Sequence, residues 1–237
     1  MKSPLPTILG LTWALCLGHA LPACADSPQP NQLTPAEKAA GWRLLFDGHS
    51  FKGWHLPGPN PKPGPGWVIE DGILKKLKRV RGGNLLTDET FEDFELAFTW
   101  RLPDRGNNGV KYFVDPKRGI LGHEYQLLGE QQGTTGKHAT GAFYDVLPPK
   151  PDHAPFDSTR WNHSRILVHG NHVEHWLNGE KILEYELCSP EVLDAVAHSK
   201  FRNVPRFGCK VRGHIMLTDH GDAAWFKDIK IRVPGTP

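Results

Sequence analysis

From Trp42 to Ile231 apolar residues recur at every second position, in short runs broken by Gly, Pro, Asn and Asp. A period of two with this punctuation predicts half-buried strands joined by tight turns. The strongest run is Phe91 to Leu102. There Phe94, Leu96, Phe98 and Trp100 alternate with Glu95, Ala97, Thr99 and Arg101, which puts the aromatic set in a core and Arg101 on the opposite face with Glu95. Trp67-Val68-Ile69 and Ile73 to Leu77 flank Asp71-Gly72, a hairpin signal. Asn84 to Thr87 and Gly109 to Val114 are further short strands, and Gly213 to Thr218 and Ala224 to Ile231 close the chain. Ser164 to His169, His172 to Leu177 and Lys181 to Glu186 form a meander turning at Gly170-Asn171 and Asn178-Gly179.

Helix signals are few. Thr34-Pro35-Ala36-Glu37 has the cap, proline and third-position glutamate of a helix start, and Gly41 ends it early. Pro190 to Ser199 is the second helix. About a dozen strands with sparse helix predict an all-β fold, a sandwich or jelly roll of two antiparallel sheets with minor helices.

The first residues carry a different pattern. Lys2 precedes an apolar run from Leu9 to Leu17, too short to span a bilayer as a mature helix, and Ala23-Cys24-Ala25 follows. This predicts a signal peptide over residues 1–25, a linker and short helix over 26–40, and one sandwich domain over 41–233. The expected location is periplasmic or extracellular. Leu21-Pro22-Ala23-Cys24 is an imperfect lipobox, and its alternative outcome is a lipoprotein anchored at Cys24. No transmembrane span is expected in the mature chain. Cys188 and Cys209 then remain, able to form a disulfide in an oxidising compartment.

With Lys+Arg 28 against Asp+Glu 26, neither nucleic acid nor an anionic membrane is the expected partner. The basic run Lys75 to Arg81 fits a solvated edge that resists aggregation. No nucleophile elbow, phosphate loop, dinucleotide fingerprint or paired-cysteine motif is present, so no organic cofactor is expected. The series His169, His172, His175 crosses a turn, which splits it between faces and favours a solvated hairpin over a metal site.

His123 to Leu128 (HEYQLL) alternates so that Glu124 and Gln126 share one face and Tyr125 and Leu127 the other. That face is either the floor of a polar ligand site or the wet side of an amphipathic strand. A standard retaining β-glycosidase on such a sandwich resembles Glu-x-Asp-x-x-Glu. Here the corresponding positions are Glu124, Gln126 and Gly129, so paired-carboxylate hydrolysis lacks its second and third acids. Other polar residues expected near the same surface are Arg101, Lys111, His138, Tyr144, Asp219 and His220. Each also has a plain structural role open to it: Arg101 could balance Glu95, and Asp219-His220-Gly221 could be a tight turn.

Several segments, in order, resemble the 3-keto-disaccharide hydrolase domain family. They are Trp42 to Gly48, Phe91 to Arg101, Asn107 to Tyr112 (NNGVKY), Glu124-Tyr125-Gln126, Thr140 to Tyr144 (TGAFY), Trp161-Asn162, Trp176 to Gly179 (WLNG) and Gly213 to Arg232. The resemblance covers nearly all of residues 41–232. It implies a concanavalin A-like sandwich, a site on the concave sheet, glycosides oxidised at C3 as ligands, and a divalent metal ion as electrophile. Asn108, Gly129, Thr218 and Cys209 depart from the family pattern; at 129 the family commonly has Asp.

A C3 ketone acidifies the C2 proton, so a base, an enolate stabiliser and an acid suffice for β-elimination of the C1 substituent, with water adding afterwards. The resemblance thereby implies catalytic roles for Glu124 or His138 as base, Lys111, Arg101 or the metal at the enolate, and Tyr144 or His220 as acid. Gln126 and Asp219, with Arg101, would bind substrate. The competing reading is a carbohydrate-binding module without activity on the same sandwich, and a third is a Trp-rich interaction module.

Overall fold

The computed structural model describes residues 29–58, 61–130 and 135–234, together with Met1. The expected export signal and the Cys24 anchor lie outside the described residues. Helix α1 (Pro35–Ala39) opens with a complete capping box: Thr34 Oγ1 accepts from the Glu37 amide, and the Glu37 carboxylate accepts from the Thr34 amide.

Thirteen strands follow among the described residues: β1 (Arg43–Leu44), β2 (Trp54–His55), β3 (Trp67–Glu70), β4 (Ile73–Lys76), β5 (Leu85–Phe91), β6 (Phe94–Arg101), β7 (Asn107–Val114), β8 (His123–Leu128), β9 (Asn162–His169), β10 (His172–Leu177), β11 (Glu180–Glu186), β12 (Gly213–Leu217) and β13 (Ala224–Arg232). Helix α2 (Pro190–Ala197) lies between β11 and β12. The larger sheet runs β11-β10-β9-β6-β13-β4-β3, with β1 also on β13; the smaller runs β2-β5-β12-β7-β8, and every pairing is antiparallel. This is the all-β sandwich of two antiparallel sheets with minor helices that the strand pattern predicted.

The core lies between the sheets. Phe94, Leu96, Phe98 and Trp100 of β6 and Phe226, Ile229 and Ile231 of β13 meet Tyr112 of β7, Tyr125 and Leu127 of β8, and Ile215 and Leu217 of β12. Each such side chain contributes roughly 1.5–3 kcal/mol on burial. Polar atoms inside this core are bonded to one another. The Tyr112 hydroxyl lies 2.9 Å from His175 Nε2 and 2.5 Å from the Tyr185 hydroxyl, and His175 Nδ1 is 2.8 Å from the Gly141 carbonyl.

Three local expectations are revised. Phe91 belongs to β5, because Glu92 and Asp93 bend the chain before β6 begins. Lys76 is not a solvated edge residue: alternation on β4 turns it inward, where it is 1 % exposed and its ammonium lies 2.8 Å from Asp219 Oδ1. Glu95 does not balance Arg101 but is held by Arg165 and Arg232. The histidine series divides as expected: His175 is buried in the core, His169 is exposed, and His172 faces Glu174 and Glu186. Cys188 and Cys209 form a disulfide that closes a loop containing α2.

Candidate functional site

Strand β8 supplies the floor. Its register with β7 sets Glu124 opposite Lys111 and Gln126 opposite Gly109. Since Tyr125 and Leu127 enter the core, Glu124 and Gln126 point out of the sandwich. The face is nevertheless not wet: Glu124 is 4 % exposed and Gln126 2 %. Lys111 and His220 border Glu124, Asn107 and Asn108 engage Gln126, and the segment from Thr140 to Tyr144 runs along the free edge of β8. The Gly141 amide donates to the Gln126 carbonyl (2.8 Å), and the Tyr144 amide to the Glu124 carbonyl (3.0 Å). Thr140 Oγ1 accepts from the Leu128 amide and donates to its carbonyl. This pairing brings Tyr144 beside Glu124.

The Glu124 carboxylate is bounded by two basic side chains. Lys111 Nζ is 3.5 Å from Oε2, and His220 Nε2 is 3.8 Å from Oε1. Oε1 is buried and accepts no hydrogen bond among the described residues. It lies over the bare Cα of Gly109, where a Cβ would fall inside van der Waals contact with it. A buried acceptor held without a donor is costly, so it is disposed to take a hydrogen bond from a ligand.

Tyr144 stands next to this carboxylate. Burial raises its phenol above the ordinary value, and the charges of Glu124 and Asp145 raise it further. The ring is braced by Lys200, whose ammonium lies 4.2 Å from its centroid, and by the His138 ring at 5.1 Å. Asp145 ties these together: its carboxylate meets His138 Nε2 at 2.8 Å and Lys137 Nζ at 3.1 Å, and accepts from the Lys200 amide at 2.7 Å. Burial works against ionisation of Asp145, but those hydrogen bonds outweigh it and hold the carboxyl below its ordinary range.

Of the residues singled out from sequence, Glu124, Lys111, His220 and Tyr144 converge. His138 lies behind Tyr144, with Nε2 turned to Asp145. Gln126 spends its amide nitrogen on Asn107 Oδ1 and the carbonyls of Asn108 and Leu127, so it shapes the floor. Asp219 is fully engaged by Lys76 and by the amides of Gly82, Gly83 and Gly221. It anchors the turn that presents His220. Arg101 lies on β6 in the other sheet, on the face away from the core. Its guanidinium stacks 5.0 Å from the Trp161 ring and 4.7 Å from Trp225. No local signal marks Lys200 or Lys76, since each acts through a partner distant in the chain, and Asp145 gathers near partners, His138 and Lys137, with the distant Lys200 amide.

At Gly129 a Cβ would run into the backbone of Pro103 and Asp104. A side chain there would collide with that turn, so this backbone has no place for the family's aspartate. As for a metal, Glu124 and His220 are the donors at the site, and the Lys111 ammonium already faces the carboxylate. This set does not fit a divalent ion held by protein alone, which takes three or more ligands. His172, Glu174 and Glu184 on β10 and β11 come within 4.8 Å of one another. There Lys181 already pairs with both glutamates.

The 3-keto-alpha-glucoside-1,2-lyase-like domain family matches residues 41–232. A curated relative, 3-keto-disaccharide hydrolase of Bacteroides thetaiotaomicron, is 31% identical over 232 residues, spanning 82% of this chain and 79% of the relative. A crystal structure of a candidate glycosyl hydrolase from Parabacteroides distasonis is 30% identical, with a TM-score of 0.76 over 86% of this chain and 99% of that one. A second from the same organism is 25% identical, with a TM-score of 0.65 over 81% and 98%.

Proposed function

The chain belongs to the 3-keto-alpha-glucoside-1,2-lyase-like domain family, and we propose that it cleaves the glycosidic bond of glycosides already oxidised at C3. The observation that carries this reading is Glu124 Oε1, a buried acceptor without a donor, set between a lysine and a histidine. One carboxylate so placed suits proton abstraction, whereas double displacement needs two.

In this reading Glu124 Oε1 takes the C2 proton and the C2–H electron pair moves into an enolate whose charge rests on O3. The Lys111 ammonium offsets that charge. The enolate then collapses, a C1–C2 double bond forms, and the C1–O bond breaks. The departing oxygen takes the Tyr144 hydroxyl proton. The phenol carries its proton at neutral pH, as an acid must; burial and the neighbouring carboxylates raise it, so the proton leaves only as negative charge develops on the departing oxygen. His220, 3.8 Å from Glu124, passes the abstracted proton to solvent, and the Tyr144 phenolate takes a proton back from solvent, so both groups return to their starting states. Water then adds its oxygen to C1 and a proton to C2, giving net hydrolysis. Asp145 holds His138, whose ring braces Tyr144. No step is derived through a metal.

We place the protein outside the cytoplasm, by simple export. The Cys188–Cys209 disulfide supports an oxidising compartment.

Turnover of a 3-keto-glucoside, followed by release of the leaving group, tests the assignment. Glu124→Gln is expected to lower kcat by roughly 100-fold or more. An unchanged kcat removes Glu124 as the base. Activity that vanishes with chelator and returns with a divalent ion would show that substrate oxygens complete a metal site at Glu124 and His220.

A further inference from the structure

Along the outward face of β8, Glu124 and Gln126 are followed by Leu128, about 13 Å from Glu124 at the rise of a strand. Leu128 opens into a cleft of about 660 Å³ whose walls are Ala139, Pro148, Pro149, Pro151 and Phe156. The Phe156 ring is half-buried and fixed edge-on against Trp100 at 6.1 Å. We propose that this cleft receives the leaving group of the substrate, and that it is built for an apolar, aromatic one. The proposal rests on the 3-keto-glycoside reading for its link to turnover, though the cleft itself does not.

Position makes the first argument. Glu124, Gln126 and Leu128 share one face of β8, so a C1 substituent that runs from Glu124 along the strand past Gln126 meets Leu128 and the cleft it lines.

The spent polar groups make the second. Thr140 Oγ1 both accepts from and donates to the Leu128 backbone. Lys150 pairs with Glu180. His153 Nδ1 bonds the Ala154 carbonyl. Glu130 and Thr135 are exposed at the rim. A second sugar would bring hydroxyls to walls that leave them few partners, whereas an aryl ring meets proline faces and the Phe156 ring.

Two measurements test this. The first is calorimetric titration with 4-nitrophenol of the wild type, Phe156→Ala and Ala139→Trp. The second is the ratio of kcat/KM for 4-nitrophenyl 3-keto-glucoside to that for methyl 3-keto-glucoside, whose leaving group is too short to reach Leu128. Saturable 4-nitrophenol binding is expected in the wild type, weakened at least fivefold in each variant, with the ratio falling at least fivefold. Ala139→Trp fills a half-exposed position and carries the same readout should Phe156→Ala not fold. No saturable binding, equal binding in all three proteins, or an unchanged ratio overturns the proposal. Binding that both variants abolish, with neither glycoside cleaved by the wild type, upholds the cleft and removes the hydrolytic reading instead.

Discussion

The carboxylate of Glu124 rests over the Cα of Gly109, in space that any side chain at 109 would fill. Neither residue has a positive φ, so glycine is required at 109 for closeness of approach and not for backbone freedom. Gly109→Ala is therefore expected to fold, because the far end of the Glu124 side chain can swing aside, and to lower kcat at least tenfold by moving Oε1 away from the substrate. Stability should change by about 1 kcal/mol or less, within the ordinary range for a substitution without a core cavity. Urea unfolding alongside kcat checks this; a variant with wild-type kcat would show that the position of Oε1 does not matter.

Lys76 and Asp219 form a buried ion pair beneath the turn that carries His220. Lys76 also donates to the carbonyls of Leu77 and Val80, so its charge is completely enclosed by acceptors. Lys76→Met would leave Asp219 with backbone donors alone and is expected to cost about 3 kcal/mol, the scale for breaking a buried pair from one side. Burial works against ionisation of Asp219, but Lys76 and the amides of Gly82, Gly221 and Gly83 prevail and hold its pKa below the ordinary 3.8. Its contribution is thus present above pH 3.8 and lost as pH falls through the lower folded value. Urea midpoints at pH 7 and pH 3 separate this pair from one that contributes nothing.

The strands and their alternation were legible in the sequence, because period-two patterning fixes a strand's faces; that Lys111 stands opposite Glu124 was not, since register depends on how the chain turns between β7 and β8. Arg101 was misplaced because alternation assigns a face but not a sheet. Its strand, β6, pairs with β9 and β13, in the sheet that does not contain Glu124. Lys76 was misread because a buried lysine within a basic run has no local mark; its partner is 143 residues away. Asp219 was recognised as polar and near the site, yet its carboxylate serves the backbone of residues 82 and 83. The dryness of the Glu124 face could not be read from β8, since Lys111, His220 and the edge segment 140–144 come from elsewhere in the chain.

Lys200 reaches Tyr144 from inside the loop that the Cys188–Cys209 disulfide closes. The same loop sends the Gly208 amide to His123 Nε2 at 3.1 Å, adjacent to Glu124. Removing the crosslink in Cys188→Ser/Cys209→Ser should destabilise the fold by roughly 3 kcal/mol on the loop-entropy scale. It should also loosen both contacts and reduce kcat more than KM changes. Comparing urea unfolding and kinetics of the oxidised protein and the double variant checks both effects. An unaltered kcat would show that the loop's two anchors hold without the disulfide.

His123 and His175 are buried in the core, and burial pushes their pKa values down to about 3 and about 4, from 6.5. The charge of one further disfavours the other at His123, while the Gly141 carbonyl partly opposes the shift at His175. Both remain neutral in the folded protein at pH 5, whereas the unfolded chain protonates them below 6.5. The unfolded state thus binds more protons, and stability falls as pH drops from 6.5 toward 4. The two histidines together give a slope of up to about 2.7 kcal/mol per pH unit. His175→Gln keeps an amide able to donate to Gly141 and accept from Tyr112, but cannot take a proton. It should remove about one proton from the uptake on unfolding at pH 5 while leaving the slope above pH 7 unchanged. Urea denaturation from pH 4.5 to 8 measures this, and identical slopes for the two proteins would mean that His175 is protonated in the folded core.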